Sequence, residues 1–205
     1  MKIGIIGAGN VGQALGTGLR RAGHEVIYGV RDPEARDVAG DGAVFASVRD
    51  AVTLADAVVL ATPWKHAQDA LAAAGEFDGK PLLDATNPIG PGPSLVIGLT
   101  DSGAEQIARW APSARVVKVF NTTGVENMRA PAYPTGAAAM FVCGDDDDAC
   151  ATAASLATDL GFDTVRAGKL DMARLLEPVA LVWIRLAVVE GHGRDFALGL
   201  LRRGD

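Results

Sequence analysis

The sequence predicts an α/β protein whose central sheet is doubly wound and mostly parallel. Short apolar runs alternate with helix-like segments through most of the 205 residues, the pattern typical of a parallel sheet that helices cover on both faces. Several of these runs end in polar loops, where ligands bind in open α/β sheets. From Lys169 to about Leu201 the chain is mainly helix-like. We therefore expect a sheet domain over residues 1–167 and a helical C-terminal extension over 168–205.

Each predicted element is based on a local pattern. Apolar and β-branched runs predict strands at 2–6, 25–28, 43–46, 57–61, 82–84, 116–120, 138–143 and 162–167. Helical periodicity predicts helices at 11–22, 47–54 and 148–160. In the C-terminal extension, Pro178 predicts a kink or break, and residues 191–193 predict a second interruption.

Composition and charge exclude several classes of protein. The net charge of −6 disfavours a nucleic-acid partner, because binding phosphates needs a clustered basic surface. Two cysteines are too few for a disulfide framework, and the three histidines have no metal-ligand spacing, so we expect no metal site.

Hydropathy predicts a cytoplasmic protein without a membrane partner. The first apolar run is too short for a signal peptide. The most apolar C-terminal stretch, 175–189, is interrupted by charged residues and proline, and falls short of the ~20 residues that span a bilayer.

Directly after the first strand, the glycine-rich turn Gly7-Ala8-Gly9-Asn10-Val11-Gly12 opens a helix. In this G-x-G-x-x-G pattern the first glycine permits a tight turn, the second lets the backbone approach a pyrophosphate, and the third allows close helix packing. The helix N-terminus then offers amide donors to the phosphates. We expect these six residues to bind a dinucleotide in a Rossmann-like domain; a purely structural turn is the alternative.

The residues after the second strand indicate which dinucleotide binds. A site selective for NAD usually has an acidic residue at the end of that strand, whereas this chain continues with Val30 and Arg31. A guanidinium can pair with a 2′-phosphate through two charge-assisted hydrogen bonds, so we expect NADP. Arg36 is a candidate second cation. Alternatively, both arginines are solvated surface charges.

Polar residues after three further strands are expected at the same edge of the sheet. Ala61, Thr62 and Pro63 end the buried strand at 57–61, and His66 follows as a candidate contact with cofactor or substrate. The neighbouring Trp64 is interpreted as a packing residue, with a flat wall for an aromatic acceptor as the alternative. The loops after the next two strands add three polar side chains that could hold ribose or carboxamide, namely Thr86, Asn87 and Asn121.

Several segments of the chain, taken in their order along the sequence, resemble the NADPH-dependent F420 reductases, also called F420H2:NADP oxidoreductases. The segments are 7–12, 29–33, 62–66, 84–88 and 117–122, and the similarity continues through 172–178 and 193–197. The dinucleotide-binding fold of this family is shared with the ferric-reductase domains of certain membrane proteins. The resemblance implies NADP in the glycine turn, Arg31 on its 2′-phosphate, and a deazaflavin near the nicotinamide.

The resulting prediction is an enzyme, an oxidoreductase that transfers a hydride between NADPH and coenzyme F420 or a flavin-like acceptor. The cofactor carries this chemistry, so an acid or base is not required, although His66 is a candidate catalytic residue for a proton step. Reduction of ferric ion or of a small imine is one alternative. A catalytically silent NADP sensor is another.

The C-terminal extension predicts a homodimer. It carries apolar residues at helical spacing, more than a small appendage buries alone: Leu175, Leu176, Val179, Val182, Trp183 and Leu186. Packing of these residues on the chain's own sheet domain is the alternative.

Overall fold

The computed structural model describes residues 1–34 and 43–203. The strands are β1 (Lys2–Ile6), β2 (Glu25–Val30), β3 (Val44–Ser47), β4 (Ala57–Leu60), β5 (Pro81–Asp84), β6 (Arg115–Lys118), β7 (Ala132–Tyr133), β8 (Gly136–Ala137), β9 (Ala139–Gly144) and β10 (Asp163–Gly168). The α-helices are α1 (Asn10–Arg21), α2 (Val48–Leu54), α3 (Ala67–Ala74), α4 (Gly103–Trp110), α5 (Val125–Arg129), α6 (Asp147–Asp159) and α7 (Ala173–Ile184).

Eight strands form one sheet in the order β10-β9-β6-β5-β4-β1-β2-β3. Neighbouring strands are parallel except β6 and β9, which pair antiparallel. The chain runs outward from β1 to β3 and then returns to the other side of β1 with β4. A crevice forms where the direction of winding reverses, at the carboxyl ends of β1 and β4. The predicted fold class, a doubly wound and mostly parallel sheet with a helical C-terminal region, is confirmed.

Helices cover both faces of the sheet because consecutive strand residues point to opposite sides. Ile5 belongs to the core cluster that α1 and α6 cover, whereas Ile6 belongs to the cluster that α2, α3, α4 and α7 cover. The central strands are therefore apolar on both faces, which explains why they read as continuous apolar runs rather than alternating ones.

The C-terminal region differs from its prediction in two respects. α7 is continuous across Pro178, so of the predicted kink or break the break is wrong and the kink stays a prediction; the proline removes only one backbone donor from a helix that its packing holds in place. The region is helical from Leu170 only to Val189, and not to Leu201. Gly191 and Gly193 follow with φ of 74° and 75°, and this left-handed conformation ends the helix.

Residues 190–203, which we call the C-terminal segment, instead lie against the sheet domain. The carbonyl of Phe196 accepts hydrogen bonds from Asn127 Nδ2 at 2.7 Å and from Trp183 Nε1 at 3.0 Å. The carbonyl of Leu198 accepts one from the amide of Ala139 at 2.8 Å. These hydrogen bonds satisfy backbone carbonyls that a continued helix would have satisfied internally. The division of the chain at residue 167 stays a prediction.

Candidate functional site

Two glycines of the turn after β1 are required by the backbone conformation and the close packing of the turn. Gly7 has φ of 106°, and a Cβ there would lie 2.8 Å from the carbonyl oxygen of Ala61. A Cβ at Gly12 would lie only 2.0 Å from the carbonyl oxygen of Gly7. Larger residues at either position would push α1 or β4 away from β1, so these two glycines keep the three elements in close contact.

Gly9 is different, because a Cβ there would meet no atom within 4 Å. It precedes α1, whose first turn has no side-chain cap among the described residues. The first amides of α1 are donors that the helix cannot satisfy internally. Open space beside uncapped amides fits a pyrophosphate, which needs donors, a positive helix end and a close backbone approach.

A cleft of about 380 Å³ begins at this turn and brings together half of the predicted cofactor residues, together with His66. Its walls include Gly7, Ala8, Gly9, Arg31, Ala61, Thr62, Pro63 and His66. Asn10, Val11 and Gly12 form the first turn of α1. The residues predicted on the loops after β5 and β6 do not line this cleft and form a second group.

The cleft also contains residues that the sequence analysis missed. Asp69, Ala70 and Ala73 of α3 line the wall that continues from His66. Their spacing of three and four residues places them on one helix face, a periodicity that could have been recognised in the alanine-rich stretch after Pro63.

Arg31 follows β2 directly and is exposed at the cleft. Within residues 1–34 and 43–203, no acceptor pairs with its guanidinium. An unpaired, solvated guanidinium opposite the glycine turn has the donors for a bidentate contact with a phosphate. Arg36, the other predicted cation, lies outside the described residues.

Thr62 and His66 border the cleft in different ways. The Thr62 hydroxyl oxygen is buried and has no hydrogen-bond partner among the described residues. A polar group of a ligand would supply the missing hydrogen bond. His66 is exposed, and it lies in the same cleft as Arg31. Trp64 turns away and stacks on Trp110 with ring centroids 5.3 Å apart, consistent with the packing role predicted for it.

The second group lies on the loops after β5 and β6. Asn87 Nδ2 donates to the carbonyl of Asn121 at 2.9 Å, and Asn121 Nδ2 donates back to Asn87 Oδ1 at 3.1 Å. Asn121 Nδ2 also donates to the carbonyl of Leu176 at 3.2 Å. The amide and hydroxyl of Thr86 donate to Asp84 Oδ1 at 2.8 and 2.7 Å. The three predicted side chains are therefore held mainly by one another and by their immediate neighbours.

Three charged side chains lie fully buried beneath these loops. Lys118 Nζ donates to Asp84 Oδ2 at 2.8 Å, to Glu177 Oε1 at 2.7 Å and to the Thr86 carbonyl at 2.7 Å. Glu177 also accepts from the amides of Gly103 and Ala104 at the N-terminus of α4, at 2.9 and 3.2 Å. The sequence analysis did not identify this group.

The pKa directions agree with these contacts. Burial by itself lowers the pKa of Lys118, but Asp84 and Glu177 together hold it above the ordinary value. Burial raises the pKa of Glu177, partly opposed by the charge and hydrogen bond of Lys118. Lys118 is therefore an ammonium at neutral pH, with all three of its donors in use.

Two further features of the described residues bear on the type of site. No group of three or more His, Cys, Asp and Glu side chains within 1–34 and 43–203 could hold a metal ion. In the same part of the chain, every helix is too short or too polar to cross a bilayer.

Comparison with known proteins identifies the family. A family model described as "NADP oxidoreductase coenzyme F420-dependent" matches residues 2–88. The F420-dependent NADP reductase of Methanothermobacter thermautotrophicus is 33% identical over 210 residues, covering 92% of this chain and 90% of that protein. The chain belongs to the F420-dependent NADP reductase family. The resemblance seen in the motifs is therefore confirmed, and with it the prediction of an NADP-dependent oxidoreductase.

A solved structure agrees with membership of the F420-dependent NADP reductase family. It is a protein of Arthrobacter sp. FB24 provisionally assigned as an F420-dependent NADP reductase, with 36% identity and a TM-score of 0.90. The match covers 98% of this chain and 100% of that one. Nearly all of this chain therefore has a counterpart in that structure.

Two other matched proteins are longer than this chain. Metalloreductase STEAP3 of Rattus norvegicus is 30% identical over 183 residues, which cover 88% of this chain but only 36% of that protein. A reductive aminase from Aspergillus terreus, solved with NADPH, has a TM-score of 0.69 at 22% identity and matches 62% of its own chain. The second likeness shows a shared fold alone.

Proposed function

We propose that this protein transfers a hydride between NADPH and a deazaflavin acceptor, coenzyme F420, with a flavin-like molecule as the nearest alternative acceptor. The observation that carries the cofactor part is the cleft that joins the open side of Gly9 to the unpaired guanidinium of Arg31. The acceptor part is supported by the names of the relatives from Methanothermobacter and Arthrobacter.

The residues present supply binding and orientation. The uncapped amides of α1 would hold the pyrophosphate, and Arg31 would hold the 2′-phosphate. Thr62, at the carboxyl end of β4, has a hydroxyl that is free to bond to the ligand. NADPH bound at its pyrophosphate and its 2′-phosphate would have its nicotinamide half directed along the carboxyl edge of the sheet, toward β5 and β6.

NADPH, when bound, supplies the hydride, so the chain does not need a nucleophile or a metal for that step. The Asn87 and Asn121 loops would lie on one side of the nicotinamide half and restrict its orientation. Proximity and fixed orientation account for most of the rate in such a reaction. A catalytic role for His66 stays a prediction; its position in the cleft of Arg31 favours contact with the adenosine half of the cofactor over proton transfer.

The experiment is NADPH oxidation by the purified protein with a panel of acceptors: F420, FMN, ferric citrate and a cyclic imine. We expect turnover with F420, followed by the loss of its absorbance, and slower turnover when NADH replaces NADPH. Faster reduction of ferric citrate would instead favour the activity named for the rat relative. Tight NADPH binding without turnover of any acceptor would contradict the proposal and support a silent sensor.

A further inference from the structure

The buried charges beneath the second group form part of a closed circuit of contacts. Lys118 joins Asp84 and Glu177; Asp84 holds Thr86; Asn87 follows Thr86 and pairs with Asn121; and Asn121 bonds to Leu176, the neighbour of Glu177. We call its side-chain members the polar ring: Asp84, Thr86, Asn87, Lys118, Asn121 and Glu177. The ring connects β5, β6 and α7 at the carboxyl edge of the sheet, where open α/β sheets in general bind ligands.

Stability alone does not account for the ring. Asp84 and Lys118 are 0% exposed and Glu177 is 1% exposed. Removing ionised groups from water is costly, and well-packed apolar side chains in such positions are often equally or more stable. What charges with directed hydrogen bonds provide is a single geometry, because every donor of Lys118 has one defined acceptor.

Backbone strain occurs at the same place. Phe120 is completely buried and has φ of 64°, a left-handed conformation that is unfavourable for a bulky residue. It directly precedes Asn121 and follows Lys118 by two residues. Strained residues persist where the surrounding structure determines them, commonly at functional sites. The chain therefore turns sharply between the buried ammonium and the Asn121 amide.

Asn121 also retains an unused acceptor. It is 3% exposed, and its Oδ1 has no hydrogen-bond donor among the described residues. A buried acceptor without a donor is unfavourable, and an N–H group such as that of a carboxamide would satisfy it.

We propose that Lys118, Asp84 and Glu177 are positioning residues of the hydride-transfer site. They hold the Asn87 and Asn121 loops against α7, and these loops orient the nicotinamide half of the cofactor. The inference rests on the proposed function. It assigns to α7 and to the buried charges a part in catalysis that the cleft around Arg31 does not require.

The test compares NADPH with 2′,5′-ADP, which carries the adenosine and its phosphates but no nicotinamide. Calorimetry gives both dissociation constants. The Kd of 2′,5′-ADP divided by the Kd of NADPH measures what the nicotinamide half contributes to binding. In Glu177→Gln, one carboxylate acceptor becomes an amide donor while the shape is kept. We expect the ratio to fall about tenfold, with the Kd of 2′,5′-ADP changed less than about twofold. Turnover with F420 should fall about 10- to 100-fold.

Glu105→Gln is the matched control. Glu105 binds Arg174 at 2.9 and 2.5 Å and so also links α4 to α7, but it does not touch the polar ring. The substitution makes the same change of charge and should leave both the ratio and turnover near those of the wild type. Equal losses in both variants would attribute the effect to helix packing and overturn the proposal.

Thr86→Val is a milder second variant, which keeps the test decisive if Glu177→Gln does not fold. It removes only the hydroxyl contact to Asp84 Oδ1 at 2.7 Å. We expect a smaller change of the same ratio in the same direction. An unchanged ratio in the folded variants, or a wild type that binds NADPH no more tightly than 2′,5′-ADP, would overturn the inference. Absence of F420 turnover in the wild type would instead contradict the proposed function, and the binding ratio would still test the positioning role.

Discussion

At the scale of single residues, Arg31 is the group whose removal should change cofactor choice. We expect Arg31→Ala to weaken NADPH binding by about 1.5–3 kcal/mol, because a charge-assisted contact with the 2′-phosphate is lost. Binding of NADH should change little, since that molecule has no such phosphate. Calorimetry with both cofactors measures the difference.

Arg21→Ala serves as the control for Arg31→Ala. Arg21 is an exposed arginine in the last turn of α1 and therefore lies at the opposite end of that helix from the glycine turn. It should bind both cofactors like the wild type. Equal weakening of NADPH and NADH in Arg31→Ala would contradict a role in recognising the 2′-phosphate.

Substitutions at two glycines of the turn should distinguish an effect on folding from an effect on binding. We expect Gly12→Ala to be strongly destabilised, because its Cβ would lie 2.0 Å from the Gly7 carbonyl oxygen. Gly9→Ala should unfold near the wild-type temperature, because its Cβ meets open space, yet bind NADPH more weakly because the methyl group occupies the pyrophosphate position. Thermal unfolding and calorimetry on both variants measure the two effects. Wild-type affinity in Gly9→Ala would show that the phosphate lies elsewhere.

The sequence indicated which residues lie together where a motif carried its own geometry, whereas their roles in binding stay predictions. The glycine turn and Arg31 are close in sequence to the strands that position them, and the cleft contains both. The buried charges were missed because their partners are distant along the chain. Lys118 contacts residues 34 and 59 positions away, and nothing in the local Val-Val-Lys-Val pattern indicates a buried ammonium.

At the scale of elements, β9 and α6 determine how the two cysteines behave. Burial raises the pKa of Cys143 to about 12, and burial also raises the pKa of Cys150. Since the thiolate is the reactive form, we expect neither to react with Ellman's reagent at pH 8 in the native protein. Both should react once guanidinium unfolds the chain, and a spectrophotometric titration counts them. Rapid labelling of the native protein would show that β9 or α6 opens locally.

Elements differ in how well local sequence predicted them. The helices with strong caps and apolar periodicity, such as α6, were found within one residue of their observed bounds. α3, α4 and α5 were not predicted; each is eight residues or shorter and is stabilised mainly by packing on the sheet. Short length alone does not explain this, since α2 has seven residues and was predicted. The end of the C-terminal helix was placed too late, since the competing hydrogen bonds of the C-terminal segment come from residues far away in the chain.

At the scale of the whole molecule, the exposed face of α7 and of the turn after it leads us to propose a homodimer. Leu175, Val182 and Val189 are 59%, 53% and 49% exposed and recur every seven residues. The other side of the helix, including Leu176 and Trp183, is buried against the chain itself. The apolar residues that predicted a dimer thus divide between an internal contact and an exposed stripe.

We expect light scattering to give twice the chain mass of 21.1 kDa at micromolar concentration. Val182→Asp should give the monomer mass, because a charge in an apolar interface is unfavourable. Leu54→Asp is the control: Leu54, on α2, is 55% exposed, outside the stripe. A monomeric wild type would contradict the dimer.

The overall architecture was predictable because alternating strands and helices allow few arrangements. The antiparallel pairing of β6 with β9 was not, since it depends on how residues 119–138 return the chain through α5 and the β7–β8 hairpin. Reversal of one strand requires no change in its apolar pattern, and therefore leaves no local signal.

Two residues of α7 that lie close together in the sequence face different surroundings. Leu175 belongs to the exposed stripe, and Glu177, two positions later, belongs to the polar ring. A second subunit that docks on this stripe would stabilise α7 and, through Glu177, the polar ring that we propose positions the nicotinamide. Turnover per subunit should then decline as the enzyme is diluted below the dissociation constant of the dimer, while the heat of 2′,5′-ADP binding stays constant.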